Sequence, residues 1–242
     1  MNYTVGIDLG STTTKAVVLG ENGAVLGRGI TNSRSNYDVA CQVALGEALI
    51  NTRFSLIAGE FRSIARDPAH SPVLIGALER TFRAEQYRSQ LRVLDTELRR
   101  FLARLLTKPP AAAGIVDRIV ERMTGEVDAL YAEGARRKSD FFRDLAGSQY
   151  RHEAEQLTRV PACGSGREGP SFDALTGLFD KGILEVENTP AAAASFETFA
   201  LAAAAGLAEP MPELHDAVWR ALETPLEEVA SVGTGYGRAR LP

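Results

Sequence analysis

Between Thr4 and Leu19 an apolar run ends in an acid, passes a glycine and four hydroxyl residues, and leaves as a second β-branched run. The residues are Thr4-Val5-Gly6-Ile7-Asp8-Leu9-Gly10-Ser11-Thr12-Thr13-Thr14-Lys15-Ala16-Val17-Val18-Leu19. This order predicts a strand, a tight loop and a strand. Gly10 has no Cβ, so the backbone can curl, and the successive N–H groups of Ser11, Thr12 and Thr13 can face one concavity suited to phosphate oxygens. Asp8 ends the first strand as a hard carboxylate, a ligand type for Mg²⁺ or for its bound water. Lys15 adds a positive charge close by, on a strand whose facing the sequence leaves open. The plain alternative is an ordinary hairpin with a Ser/Thr turn.

Two familiar phosphate loops are excluded here. A Walker loop needs Gly, then Lys, then Ser or Thr, whereas Lys15 follows Thr14 and precedes Ala16. A dinucleotide fingerprint needs a helix after its turn. Gly164-Ser165-Gly166-Arg167-Glu168-Gly169 spells G-x-G-x-x-G, but no strand pattern leads into it and Pro170 interrupts its exit.

The formal charge of −4 and a pI near 5.5 argue against a general nucleic-acid binder. Charge is uneven: residues 53–160 carry 19 Lys/Arg against 15 Asp/Glu, and residues 161–242 carry 5 against 12. The arginine-rich middle reads as a solvated helix surface, with an acidic partner as the alternative. No apolar run approaches the roughly 18 residues of a membrane span, and no basic segment precedes the first apolar stretch, so the expected location is the cytoplasm. Cys41 and Cys163 match no paired metal spacing.

Residues 3–8, 13–20 and 24–30 read as three strands, the last two joined at Asn22-Gly23. From Asp38 the apolar period becomes helical. Leu74, Leu78, Phe82, Tyr87, Leu91, Leu94, Leu98, Phe101 and Leu105 predict a long helix, stopped by Pro109-Pro110. Ile115, Ile119, Met123, Val127 and Leu130 predict a return helix. Ser139 is a candidate N-cap for the next. Helices at about 172–184, 190–207 and 212–222 follow, and Val229-Ala230-Ser231-Val232-Gly233-Thr234-Gly235 reads as a fourth strand. The expected architecture is therefore α/β: first strands and loop at 1–35, a helical insertion at 36–224, and a return strand at 225–242.

The opening stretch is similar to the first phosphate motif, Asp-x-Gly-[ST]-[ST], of the superfamily that holds actin, the heat-shock chaperones and the sugar kinases. With the closing Gly233-Thr234-Gly235-Tyr236-Gly237-Arg238, it resembles the BadF/BadG/BcrA/BcrD ATPases. Ser35-Asn36-Tyr37-Asp38-Val39-Ala40, Arg137-Lys138-Ser139-Asp140-Phe141-Phe142-Arg143-Asp144 and Ile183-Leu184-Glu185-Val186-Glu187-Asn188 look like the A subunits of ATP-dependent benzoyl-CoA reductases.

The resemblance implies a partial ribonuclease-H-like ATPase domain. It implies ATP and Mg²⁺ as cofactors, with Asp8 as the catalytic residue that places Mg²⁺ through water. Gly10, Ser11, Thr12 and Thr13 would cradle the phosphates, with Lys15 assisting. Gly233, Thr234 and Gly235 would stand beside the cofactor, the glycines letting the chain turn near the cleft. It further implies ATP hydrolysis coupled to low-potential electron transfer for reduction of benzoyl-CoA or a related acyl-CoA. The implied partners are a homologous ATPase subunit, catalytic reductase subunits and ferredoxin, with no nucleic acid and no membrane.

Family members continue into a second phosphate motif, two cysteine motifs binding a [4Fe–4S] cluster, and an adenosine motif. None of these is in this sequence, and Cys41 and Cys163 stand in neither cysteine motif. The expectation is an N-terminal fragment of a longer subunit. Two other readings stay open: a sugar-kinase-like phosphotransferase fragment, and a non-enzymatic assembly module.

Overall fold

Alternation along the first strand decides which way the sheet faces. The computed structural model describes residues 1–33, 37–65, 68–104, 111–159, 169–188, 193–207 and 211–235. In β1 (Asn2–Leu9) the side chains of Tyr3, Val5, Ile7 and Leu9 are buried, so Thr4, Gly6 and Asp8 point to the opposite face. β2 (Thr13–Gly20) buries Thr14, Ala16 and Val18 on the same side as β1, leaving Lys15 and Val17 on the other. β3 (Val25–Asn32) follows a turn at Asn22-Gly23, where Gly23 takes φ 75° and the Ala24 N–H donates to Asn22 Oδ1 at 3.0 Å.

The sheet order is β3-β2-β1-β4, with β4 at Glu227–Gly235. β1 pairs antiparallel with β2, and β2 with β3, whereas β4 runs parallel to β1. The mixed α/β arrangement thus brings the two ends of the sequence into one sheet. β4 is exposed along most of its length, with Val229 at 61% and Val232 at 63%.

One face of the sheet is closed by α1 (Tyr37–Ile64). Ala40, Ala44 and Ala48 recur every four residues on α1 and are fully buried, so the helix backbone can ride close to the strands. Glycine makes the approach possible from the other side. A Cβ on Gly29 would lie 2.0 Å from the Ala44 carbonyl oxygen, and one on Gly27 2.1 Å from that of Ala48. Asn51 Nδ2 donates to the Arg28 carbonyl at 2.6 Å and Ser55 Oγ to that of Leu26 at 2.7 Å, so α1 also satisfies backbone acceptors of the edge strand β3.

The remaining helices are α2 (Ser71–Arg104, preceded by a short 3-10 turn at Pro68–His70), α3 (Ala112–Gly125), α4 (Val127–Leu130), α5 (Phe142–Arg159), α6 (Phe172–Glu187), α7 (Ala193–Ala205) and α8 (Pro212–Glu223). The chain forms two compact units, one of Met1–Phe82 with Pro190–Pro242, the other of Arg83–Thr189.

In the first unit the C-terminal half of α1 joins the start of α2, α7 and α8 around a cluster of rings. Phe54 and Phe82 meet edge to face at 5.1 Å between centroids, and Phe196 packs at 5.7 Å from the first and 5.1 Å from the second. Each such aromatic pair adds about 0.5–1.5 kcal/mol beyond its burial.

In the second unit Tyr87, Leu91, Leu94 and Leu98 of α2 pack with Ile115, Ile119 and Met123 of α3 and with Tyr150 and Phe179. The long helix and its return thus form where the apolar spacing predicts them, with the return broken between Gly125 and Val127 into α3 and α4. Ser139 does not cap a helix directly. Its hydroxyl accepts from the Phe141 N–H at 3.1 Å and donates to Asp144 at 2.8 Å, a local turn that delays α5 to Phe142. Leu105, Pro109-Pro110 and the glycines at 164 and 166 lie outside the described residues.

Candidate functional site

The open face of the sheet gathers charge at the loop end of β1. Asp8 and Lys15 are directly opposite in the β1–β2 register, and Asp8 and Thr234 are opposite in the β1–β4 register. Side chains at opposite positions share a face of the sheet, so all three converge. They line a groove of about 420 Å³ together with Gly6, Val17 and Arg28. The register thus settles the direction of Lys15: it faces the same groove as Asp8. The Thr234 hydroxyl donates to Asp8 Oδ1 at 3.3 Å.

Delivery of Thr234 depends on how the last helix ends. Arg53 of α1 donates to the Ala221 carbonyl and, at 2.7 Å, to that of Thr224, satisfying carbonyls at the C-terminus of α8. The Met1 ammonium then donates to the Pro225 carbonyl at 2.6 Å and the Glu227 N–H to the Met1 carbonyl at 3.1 Å. These bonds tie the start of β4 to the start of β1.

The loop itself is tight. The Gly10 N–H donates to the Thr13 carbonyl at 3.1 Å, and a Cβ on Gly10 would lie 2.7 Å from that same oxygen. Ser11 and Thr12 are exposed, Thr13 is half-buried, and Thr14 is fully buried. Three of the four hydroxyls thus stand outward or at the margin and the fourth is structural. Gly235 abuts the loop at φ 95°, where a Cβ would come within 2.3 Å of the Leu9 carbonyl oxygen, and Gly233 is half-buried beside Ile7 in register. Tyr236, Gly237 and Arg238 lie outside the described residues.

Two groups at the site escape local sequence reading. Arg28 reaches the groove because β3 pairs Arg28 with Val17, a signal that alternation along β3 carries only once the register is known. Ser33, the first residue after β3, donates its hydroxyl to the Gly10 carbonyl at 2.6 Å.

The described residues suit one implied cofactor and offer little to the other. A glycine that admits no Cβ, exposed hydroxyls, one carboxylate and a lysine suit a phosphate tail with Mg²⁺, an ion that keeps most of its waters and needs one or two carboxylates. For a cluster the described residues offer one thiol. Cys41 is 2% exposed, its thiol pushed up by burial and by the charge of Asp38, and Cys163 lies outside the described residues. Among the described residues no group of three or more His, Cys, Asp or Glu is placed to hold a metal ion.

No described helix is long and apolar enough to cross a membrane. No curated protein and no solved structure matches the chain. The model of one family, described as the BadF/BadG/BcrA/BcrD ATPase family, matches residues 5–242.

Proposed function

The chain belongs to the BadF/BadG/BcrA/BcrD ATPase family, and from that membership we propose that its first hairpin binds the phosphate tail of Mg·ATP. One observation carries the reading: Asp8, Lys15 and Thr234, drawn from three strands, line one groove beside a loop in which Gly10 admits no side chain.

In this reading each group has a distinct task. The N–H groups of Ser11, Thr12 and Thr13 face the phosphate oxygens, and the exposed hydroxyls of Ser11 and Thr12 add donors. Lys15 balances negative charge on the tail. Asp8 holds a water of the metal shell, oriented by the donated hydrogen bond from Thr234, while Gly233 and Gly235 let β4 close against the loop. Mg²⁺, when bound, neutralises charge on the phosphate oxygens.

The strand order β3-β2-β1-β4, antiparallel except for the last pair, supports a ribonuclease-H-like sheet with residues 36–224 inserted between its third and fourth strands. We propose further that the chain is part of an ATPase subunit of the kind that serves reduction of benzoyl-CoA or a related acyl-CoA. Its partners would be a homologous ATPase subunit, catalytic reductase subunits and a ferredoxin, all in the cytoplasm. The three sequence stretches at 35–40, 137–144 and 183–188 support that finer assignment.

Titration calorimetry with Mg·ATP tests the core of the reading. The wild-type chain binds, and Asp8→Ala binds at least tenfold more weakly. Equal affinities would remove Asp8 from the site, and no binding by the wild type would remove the phosphate loop.

A further inference from the structure

We infer that Ser33 is a positioning residue for the phosphate loop: it clamps the loop's carbonyls on one side so that the neighbouring N–H groups are presented on the other. The inference rests on the reading of residues 10–13 as a phosphate loop.

Ser33 holds the loop by three contacts. Its hydroxyl donates to the Gly10 carbonyl at 2.6 Å, its N–H donates to the Thr12 carbonyl at 2.8 Å, and its Oγ lies 3.1 Å from the hydroxyl of Thr14. A serine hydroxyl has one proton and two lone pairs. The proton is committed to Gly10, so Thr14 is the donor in the third contact. Thr14 is fully buried, and Ser33 supplies the acceptor its hydroxyl needs away from water.

The consequence for the loop follows from the planar trans peptide, in which the C=O of one residue and the N–H of the next point in opposite directions. Turning the Gly10 carbonyl toward Ser33 turns the Ser11 N–H away from it. The Thr12 carbonyl does the same for the Thr13 N–H. Two of the three amides assigned to the phosphate are thereby aimed by one residue outside the loop. Preorganisation of this kind matters because donors already aimed need no reordering when the anion arrives.

The side-chain half of the clamp can be removed alone. Ser33→Ala deletes the bonds to Gly10 and Thr14 and keeps the backbone bond to Thr12, whereas Ser33→Thr retains a hydroxyl. The experiment measures, on the 242-residue chain, the affinity for Mg·ATP and for inorganic tripolyphosphate with Mg²⁺. It also measures amide hydrogen exchange without ligand at Gly10 and Ser33, whose N–H groups donate to the Thr13 and Thr12 carbonyls.

The expected result is a fivefold or greater loss of both affinities in Ser33→Ala, with Ser33→Thr within twofold of wild type. Exchange at Gly10 and Ser33 rises at least fivefold in Ser33→Ala, while amides of β1 and α1 are unchanged. Unchanged affinity in Ser33→Ala overturns the inference, as does a rise in exchange spread evenly over the sheet, which marks a general loss of stability. If wild type binds neither probe, the phosphate-loop reading fails by itself. The exchange data then decide the clamp: a local rise at Gly10 and Ser33 upholds it, and no rise overturns it.

Discussion

Thr234 and Asp8 stand 226 positions apart in the chain, and the hydroxyl of the first donates to the carboxylate of the second across 3.3 Å. The parallel register of β4 on β1 places them opposite each other. The bond is exposed, so its stabilising contribution lies at the low end of about 0.5–1.5 kcal/mol. Its effect is on direction, since it holds one carboxylate oxygen and leaves the other to turn toward the groove.

Thr234→Val keeps a β-branched side chain in the strand and removes the donor. The melting temperature stays within about 3 °C of wild type, as expected for a change well under about 1 kcal/mol in a chain of this size. Affinity for Mg·ATP falls about two- to tenfold. Calorimetric titration beside a thermal melt separates the two effects, and an unchanged affinity would show that Asp8 needs no partner from β4.

Helix α1 rests on glycine, and two substitutions on the same interface and helix separate the reasons. Gly29→Ala puts a Cβ 2.0 Å from the Ala44 carbonyl oxygen, a backbone atom that cannot swing aside. The helix must lift off β3, at a cost of about 1–3 kcal/mol or more from overpacking. Gly46→Ala, within α1 itself, meets nothing within 4 Å. It gains about 0.5–1 kcal/mol from helix propensity. Urea unfolding of the two variants should move in opposite directions, and a stable Gly29→Ala would disprove the close approach.

Two buried tyrosines of the second unit differ in one respect. The Tyr87 hydroxyl donates to Gln149 Oε1, whose amide in turn donates to Glu126, whereas the Tyr150 hydroxyl has no partner among the described residues. Tyr87→Phe therefore loses about 0.5–1.5 kcal/mol, and Tyr150→Phe is neutral or stabilising because an unsatisfied buried hydroxyl is removed.

Both phenols are pushed up by burial, and Tyr87 also by Tyr131 and by the charge of Glu126. A raised acid favours the neutral form in the folded state, so its contribution is present below the unfolded value near 10 and falls as pH rises above it. Urea midpoints taken at pH 8 and pH 11 should fall with pH in wild type and fall less in Tyr150→Phe. An equal fall in both would remove Tyr150 from the alkaline transition.

Much of this protein is written locally. Alternation in Val5-Gly6-Ile7-Asp8-Leu9 is enough to set Asp8 at the end of a strand with its carboxylate on the face away from the core. The glycine and hydroxyl run from Gly10 to Thr14 marks the turn, and the apolar period from Leu74 to Phe101 marks the long helix. These signals work because the pleat and the helical repeat are properties of a few consecutive residues.

The site needed more than that. Lys15 has a direction only because β2 pairs with β1 one way and not one residue slipped, and Thr234 meets Asp8 only because Arg53, Met1 and the end of α8 hold β4 in place. Ser33 is a commonplace serine until β3 carries it to the Gly10 carbonyl. Periodicity says which face a side chain takes on its own strand, but strand register is decided by packing and hydrogen bonds between residues far apart in the chain. Hence the hairpin and its acid are properties of the sequence, and the groove that joins Asp8, Lys15 and Thr234 is a property of the fold.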